Sequence, residues 1–88
     1  MAYAVEISKA TARELRRLPR QDVATIRAHI LALGLEPRPA GVRKIADRER
    51  SYRIRVGAFR VIFDIFDDKQ TVVISHVLRR TETTYRRL

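Results

Sequence analysis

Cysteine and tryptophan are both absent from this chain, and methionine occurs once. Without thiols there is no disulfide scaffold, no thiolate nucleophile and no zinc site built on cysteine. Long hydrophobic runs are missing as well: nothing approaches the roughly 18 to 20 apolar residues of a membrane span. The first ten residues carry Glu6 and Lys9 where a signal peptide would have an apolar stretch. A cytoplasmic protein with no membrane partner is expected. There is no phosphate loop, no GxGxxG and no zinc-ligand spacing, so no cofactor and no metal are expected. Lysine is scarce too, since 16 of the 19 basic residues are arginine.

What is present is positive charge on a small frame. Against those 19 bases stand 10 acids, for a net charge of +9 on 88 residues. That length predicts one domain spanning residues 1–88. Such a chain hides only about 60 to 65% of its unfolded surface, so a bound partner would add considerably to its stability. The charge is uneven, with +2 over residues 1–37, +6 over 38–60, −2 over 61–75 and +3 over 76–88. Two basic blocks therefore flank an acidic turn, and a fold that joins them makes one polyanion-binding surface.

The periodicity predicts an α+β domain in the order β-α-α-β-β-β. Tyr3, Val5 and Ile7 alternate with Ala4 and Glu6, the pattern of a strand with one buried face. Ser8 is a good N-cap for a helix to about Leu18, ended by Pro19. A second helix from near Arg20 carries Val23, Ile26, Ile30 and Leu33 on one stripe, and Gly34 is expected to supply a left-handed cap. Glu36-Pro37-Arg38-Pro39-Ala40-Gly41 reads as a connection. From Ser51 the period becomes two: Tyr52, Ile54 and Val56 oppose Arg53 and Arg55, Gly57-Ala58 turns the chain, and Phe59 to Phe66 is apolar on both faces, as a central strand would be. Asp67 to Gln70 form the next turn and Thr71 to Leu78 the last strand. We expect a small antiparallel sheet with the helical hairpin packed on one face.

If the helices cover the apolar side of the hairpin, Arg53 and Arg55 lie on the other side, with Arg60 across the turn and Arg79 or Arg80 arriving from the last strand. Charged residues at alternate strand positions are ordinary, but this row holds arginine with no acid between, a surface fitted to phosphodiesters. Tyr85, beside Arg86 and Arg87, could anchor the tail in the core, stack on a base or carry a proton. His29 and His76 read as structural, His76 sharing a face with Val72, Ile74 and Leu78, with a two-histidine ribonuclease arrangement as the alternative. Asp64, Asp67 and Asp68 read as a solvated acidic turn.

The run from Tyr52 to Phe63, followed by Val77-Leu78-Arg79-Arg80 and Tyr85, resembles the RelE/ParE superfamily of toxins from type II toxin–antitoxin systems, and the likeness covers nearly the whole chain. The resemblance implies a RelE-like fold and a messenger-RNA interferase that cuts the codon in the ribosomal A site, by attack of the ribose 2′-hydroxyl on the adjacent phosphate. It implies catalytic roles for Arg60, Arg80 and Tyr85, and RNA contacts by Arg53, Arg55, Arg79, Arg86 and Arg87. It also implies as partners the ribosome and its mRNA, a RelB-like antitoxin, and operator DNA reached through that antitoxin. The sequence departs from the best-studied pattern in two ways. Arg53 and Arg55 stand in place of lysines, and Leu78 replaces a glycine. Arginine, with a pKa above about 12, is a poor proton acceptor, so Arg53 and Arg55 are read as binding and charge-stabilising groups. Two other functions fit the same fold and surface: a ParE-like inhibitor of DNA gyrase, and an RNA- or ribosome-binding module without chemistry.

Overall fold

The computed structural model describes residues 2–80. The elements follow in the order β1 (Ala4–Ile7), α1 (Lys9–Arg16), α2 (Arg20–Leu35), β2 (Arg43–Lys44), β3 (Ser51–Val56), β4 (Phe59–Phe66) and β5 (Thr71–Arg79). The strands form one sheet in the order β1-β5-β4-β3-β2. The α+β architecture expected from the sequence is found, with two additions. β1 joins the sheet parallel to β5, and the two-residue β2 pairs with β3 at the far edge.

The apolar pattern explains the layering. Val61, Phe63 and Ile65 on β4 and Val72 and Ile74 on β5 are buried with Ile26, Ile30 and Leu33 of α2 in the main core, where each fully buried large side chain is worth roughly 1.5 to 3 kcal/mol. β4 is central, as its two apolar faces require. On its second face Ile62 packs with Leu78 and the half-buried Ile45 in a smaller cluster. The segment after β2 thus covers part of the sheet that the helices leave open.

Gly57 turns the β3–β4 hairpin with φ 59°, a positive angle at the first central position that glycine reaches without steric cost. Gly34, expected as a left-handed cap, lies inside α2 and serves a different purpose. A Cβ there would meet the Tyr3 carbonyl oxygen and Val5 Cγ2 at 3.0 Å each, and the Tyr3 N–H donates to the Gly34 carbonyl at 2.6 Å. Glycine is what lets β1 touch the helix. α1 stops at Arg16 rather than Leu18, with Arg17 and Leu18 turning tightly onto the Glu14 and Leu15 carbonyls, because a residue before proline is pushed out of helical geometry.

β1 ends at Ile7, which would leave the upper edge of β5 as open backbone. α1 closes it. Ser8 caps the helix by accepting from the Thr11 N–H, and its N–H donates to the Ile74 carbonyl at 3.0 Å. Buried Thr11 donates its hydroxyl to the same carbonyl at 2.8 Å. Glu14 Oε1 accepts from the Val77 N–H at 2.8 Å. One helix turn therefore satisfies the strand groups that β1 does not reach.

The last strand departs from simple alternation. Ile62 pairs with His76 but Phe63 pairs with Ile74, so Ser75 is an extra residue, a β-bulge. Val72 and Ile74 face the main core before the bulge and Val77 after it. His76 and Leu78, expected to share a face with Val72 and Ile74, fall on the other side. Inserting one residue into a period of two reverses every side chain beyond it.

Candidate functional site

The hairpin register assembles the arginines. Arg53 pairs with Ile62, Arg55 lies directly opposite Arg60, and Arg60 pairs with Leu78 on β5. Arg53, Arg55 and Arg60 therefore share the sheet face away from the helices, as the alternation predicted. Arg55 is exposed, whereas Arg53 and Arg60 are half-buried. Like charges directly opposite on two strands repel, so the Arg55–Arg60 pairing concentrates positive charge on this face.

The choice between Arg79 and Arg80 follows from the strand phase. Arg79 pairs with Phe59, a main-core residue, and its guanidinium sits 5.1 Å from the Phe59 ring centroid, on the helix side. The Arg80 N–H donates to the Ala58 carbonyl at 2.9 Å, and backbone alternation from Leu78 places Arg80 on the face of Arg60. Of the two, Arg80 joins the basic row. Tyr85, Arg86 and Arg87, and the basic tail after residue 80, lie outside the described residues.

A groove of about 870 Å³ runs along this face between Arg53, Ser51, Asp64 and Phe66 and the overhanging residues 45–50. It adjoins a smaller one of about 270 Å³ bordered by Ile62, Ser75 and His76. Asp64 is tied down within them, accepting from Ser51 Oγ at 2.5 Å and Ser75 Oγ at 3.4 Å. A third groove, of about 590 Å³, opens on the far side of β3, where Arg43, Arg53 and Arg55 meet His29 and the connection after α2. β2 pairs only with Tyr52 and Arg53, so this groove sits where the edge of β3 passes beyond β2.

Two constellations were not read from the sequence. Asp67, expected to be solvated, receives both guanidinium nitrogens of Arg38 at 3.2 and 2.8 Å and the Tyr3 hydroxyl at 2.6 Å. Arg38 in turn lies 5.2 Å from the centroid of Tyr52, which stacks on Phe63. The Arg38 guanidinium holds the Asp67 carboxyl below its ordinary range, and donation to that carboxylate raises the Tyr3 phenol. This strap pins the 36–42 connection to both ends of the sheet and so frames the groove beside Arg53. The second constellation is Glu14 with His76, Oε2 to Nδ1 at 3.0 Å. Its only trace in the sequence is the polar pair Ser75-His76, which spaces Ile74 and Val77 by three where a regular strand would space them by two.

Two helices on a five-strand mixed sheet are the fold of small bacterial and archaeal toxins with which the comparisons align this chain. Residues 5–84 match the family model described as ParE toxin of type II toxin-antitoxin system, parDE. The chain belongs to this family, and is the toxin of a type II toxin–antitoxin system of the RelE/ParE group. It is 28% identical over 83 residues to a Methanocaldococcus jannaschii protein provisionally named toxin RelE1, covering 91% of this chain and 92% of that one. Its fold matches a chain of the RelBE2 toxin–antitoxin complex of Mycobacterium tuberculosis with TM-score 0.79 and 28% identity, covering 91% of this chain and 100% of the other. It also matches a chain of the RelE–RelB complex of Pyrococcus horikoshii with TM-score 0.82 and 26% identity, covering 94% and 100%.

Proposed function

We propose that this toxin is a metal-independent endoribonuclease that enters the ribosomal A site and cuts the messenger RNA there. The observation that carries this reading is the basic row Arg53, Arg55, Arg60 and Arg80 on one sheet face. Attack of the 2′-hydroxyl on the adjacent phosphate builds negative charge on the phosphorane, and fixed guanidiniums aimed at that charge lower the barrier. Arg60 and Arg80 are assigned this role. Arg53 and Arg55, with Arg86 and Arg87 of the C-terminal tail, are assigned to grip the RNA backbone, while Arg79, expected among them, sits on the other face against Phe59. Tyr85 either carries a proton or stacks on a base; cutting by Tyr85→Phe at the normal rate would remove its hydroxyl from the mechanism. In the cytoplasm a RelB-like antitoxin, acidic and partly unstructured when alone, would cover the +9 surface and bring the pair to operator DNA.

The match to the ParE family model supports a second reading, inhibition of DNA gyrase without RNA cleavage. Primer extension on a defined message in translating ribosomes separates the two, with wild type beside an Arg60→Ala, Arg80→Ala double variant and with free RNA in parallel. Cleavage inside the A-site codon that the double variant loses is the expected result. An intact message under every condition, with supercoiling blocked, would establish the gyrase reading. Salt-sensitive RNA binding without product would leave a binding module.

A further inference from the structure

The arginines of the basic row stabilise charge but do not themselves accept a proton, because guanidiniums do not give up their protons near neutral pH. Among the described residues, His76 puts an imidazole on this face, opposite Ile62 and on the groove beside Asp64. We propose that His76, oriented by Glu14, takes the proton of the ribose 2′-hydroxyl; this rests on the ribonuclease reading above.

Four observations carry the assignment. The bulge at Ser75 puts His76 on the basic face in the row Arg53–Ile62–His76, adjacent to the row Arg55–Arg60–Leu78. Strands lie about 4.8 Å apart and residues two along a strand about 7 Å apart, so His76 stands two strands from Arg53, across the buried Ile62, and on the diagonal from Arg60. Bulges beside active sites commonly re-aim a side chain in this way. The ring is also held. Glu14 is anchored by the Val77 N–H at 2.8 Å, and its other oxygen meets His76 Nδ1 at 3.0 Å. With Nδ1–H donating to the Glu14 carboxylate, Nε2 is left as the acceptor, the orienter-and-base arrangement that general base catalysis requires. Finally, the ring is neither buried nor loose, with its side chain 24% exposed on the groove shared with Ile62, Ser75, Asp64 and Arg48. The charged groups facing it are Glu14 from α1, Asp64 from β4 and Arg48 from the 45–50 segment, with Arg53 one strand beyond Ile62.

In the reaction the 2′-oxygen loses its proton to Nε2 and bonds to phosphorus. The bond from phosphorus to the 5′-oxygen breaks, the electron pair leaves with that oxygen, and water supplies its proton. The imidazolium then releases its proton to solvent. The products are a 2′,3′-cyclic phosphate and a 5′-hydroxyl end.

The test is single-turnover cleavage of a defined message on programmed ribosomes from pH 5.5 to 8, with wild type, His76→Gln and Glu14→Gln, beside thermal melting of each. Wild-type cleavage should fall on the acid side, as the base takes up a proton before the reaction. His76→Gln, whose amide can still donate to Glu14, should melt with wild type, cut about 100-fold more slowly and lose the acid limb. Glu14→Gln should keep the Val77 bond through its amide oxygen and cut at an intermediate rate. If His76→Gln cuts at the wild-type rate with the same acid limb, the proton role is overturned while the ribonuclease reading stands. If wild type leaves the message intact, both fall. Should His76→Gln melt lower, the wild-type profile decides alone, and a rate flat from pH 5.5 to 8 overturns the assignment.

Discussion

Thr11→Val deletes one hydroxyl and keeps the side chain's shape, at the point where α1 closes the edge of β5. Thr11 is 0% exposed. Its hydroxyl donates to the Ile74 carbonyl at 2.8 Å and accepts from Ser8 Oγ at 2.9 Å. Valine and threonine are both β-branched with similar helix propensity, so the helix itself loses little. The Ile74 carbonyl keeps its bond from the Ser8 N–H and is not orphaned, while Ser8 Oγ can turn its proton to the Ser75 carbonyl at 3.0 Å. The loss is therefore one net hydrogen bond plus partial desolvation, about 1 to 2 kcal/mol. In a domain of this size about 1 kcal/mol moves the melting midpoint by roughly 4 to 8 °C, so Thr11→Val should melt about 5 to 10 °C lower in thermal unfolding followed by circular dichroism at pH 7. Thr11→Ser retains the hydroxyl and loses a methyl worth about 0.8 kcal/mol. A Thr11→Val protein that melts with wild type while Thr11→Ser melts lower would refute the hydrogen-bond argument and leave packing as the whole of the Thr11 contribution.

Four further expectations follow from named residues. Asp67 has its folded pKa below the ordinary 3.8, so the strap's contribution is complete above that value and is lost as the pH falls through the folded one. The stability gap between wild type and Asp67→Asn should then hold constant from pH 5 to 9 and shrink in acid, and a gap unchanged in acid would contradict the pairing. The Tyr3 phenol, raised above 10.0, adds stability that is present below its unfolded value and lost as the pH rises past the folded one. Gly34→Ala gains roughly 1 kcal/mol of helix propensity, but forces a Cβ to 3.0 Å from a backbone oxygen and a valine methyl, a strain of about 1 to 3 kcal/mol; denaturant titration should find a net loss, and a stabilised variant would mean that β1 yields freely. Arg55→Gln should flatten the salt dependence of binding to single-stranded RNA by about 0.7 in log–log slope, read by fluorescence anisotropy, whereas an unchanged slope would place no phosphate on Arg55.

The local chemistry of this chain was legible residue by residue. Alternation in Tyr52 to Val56 placed Arg53 and Arg55 opposite the core, the two apolar faces of Phe59 to Phe66 made β4 central, and Ser8 and Gly57 announced a cap and a turn. Each of these signals depends only on residues a few positions apart, since side-chain period and backbone preference are local properties. Three features came from contacts between distant segments. Gly34 is required by β1 crossing the helix, Asp67 is paired because Arg38 and Tyr3 converge on it, and the Ser75 bulge is fixed by what β4 presents across the ladder. The sequence by itself determined that one sheet face would be arginine-rich. Only the tertiary structure decided that Arg80 and not Arg79 joins that face, and that His76 leaves the core side to stand beside Glu14, because one inserted residue reverses a strand's phase and the polar pair Ser75-His76 does not by itself say which residue is the extra one.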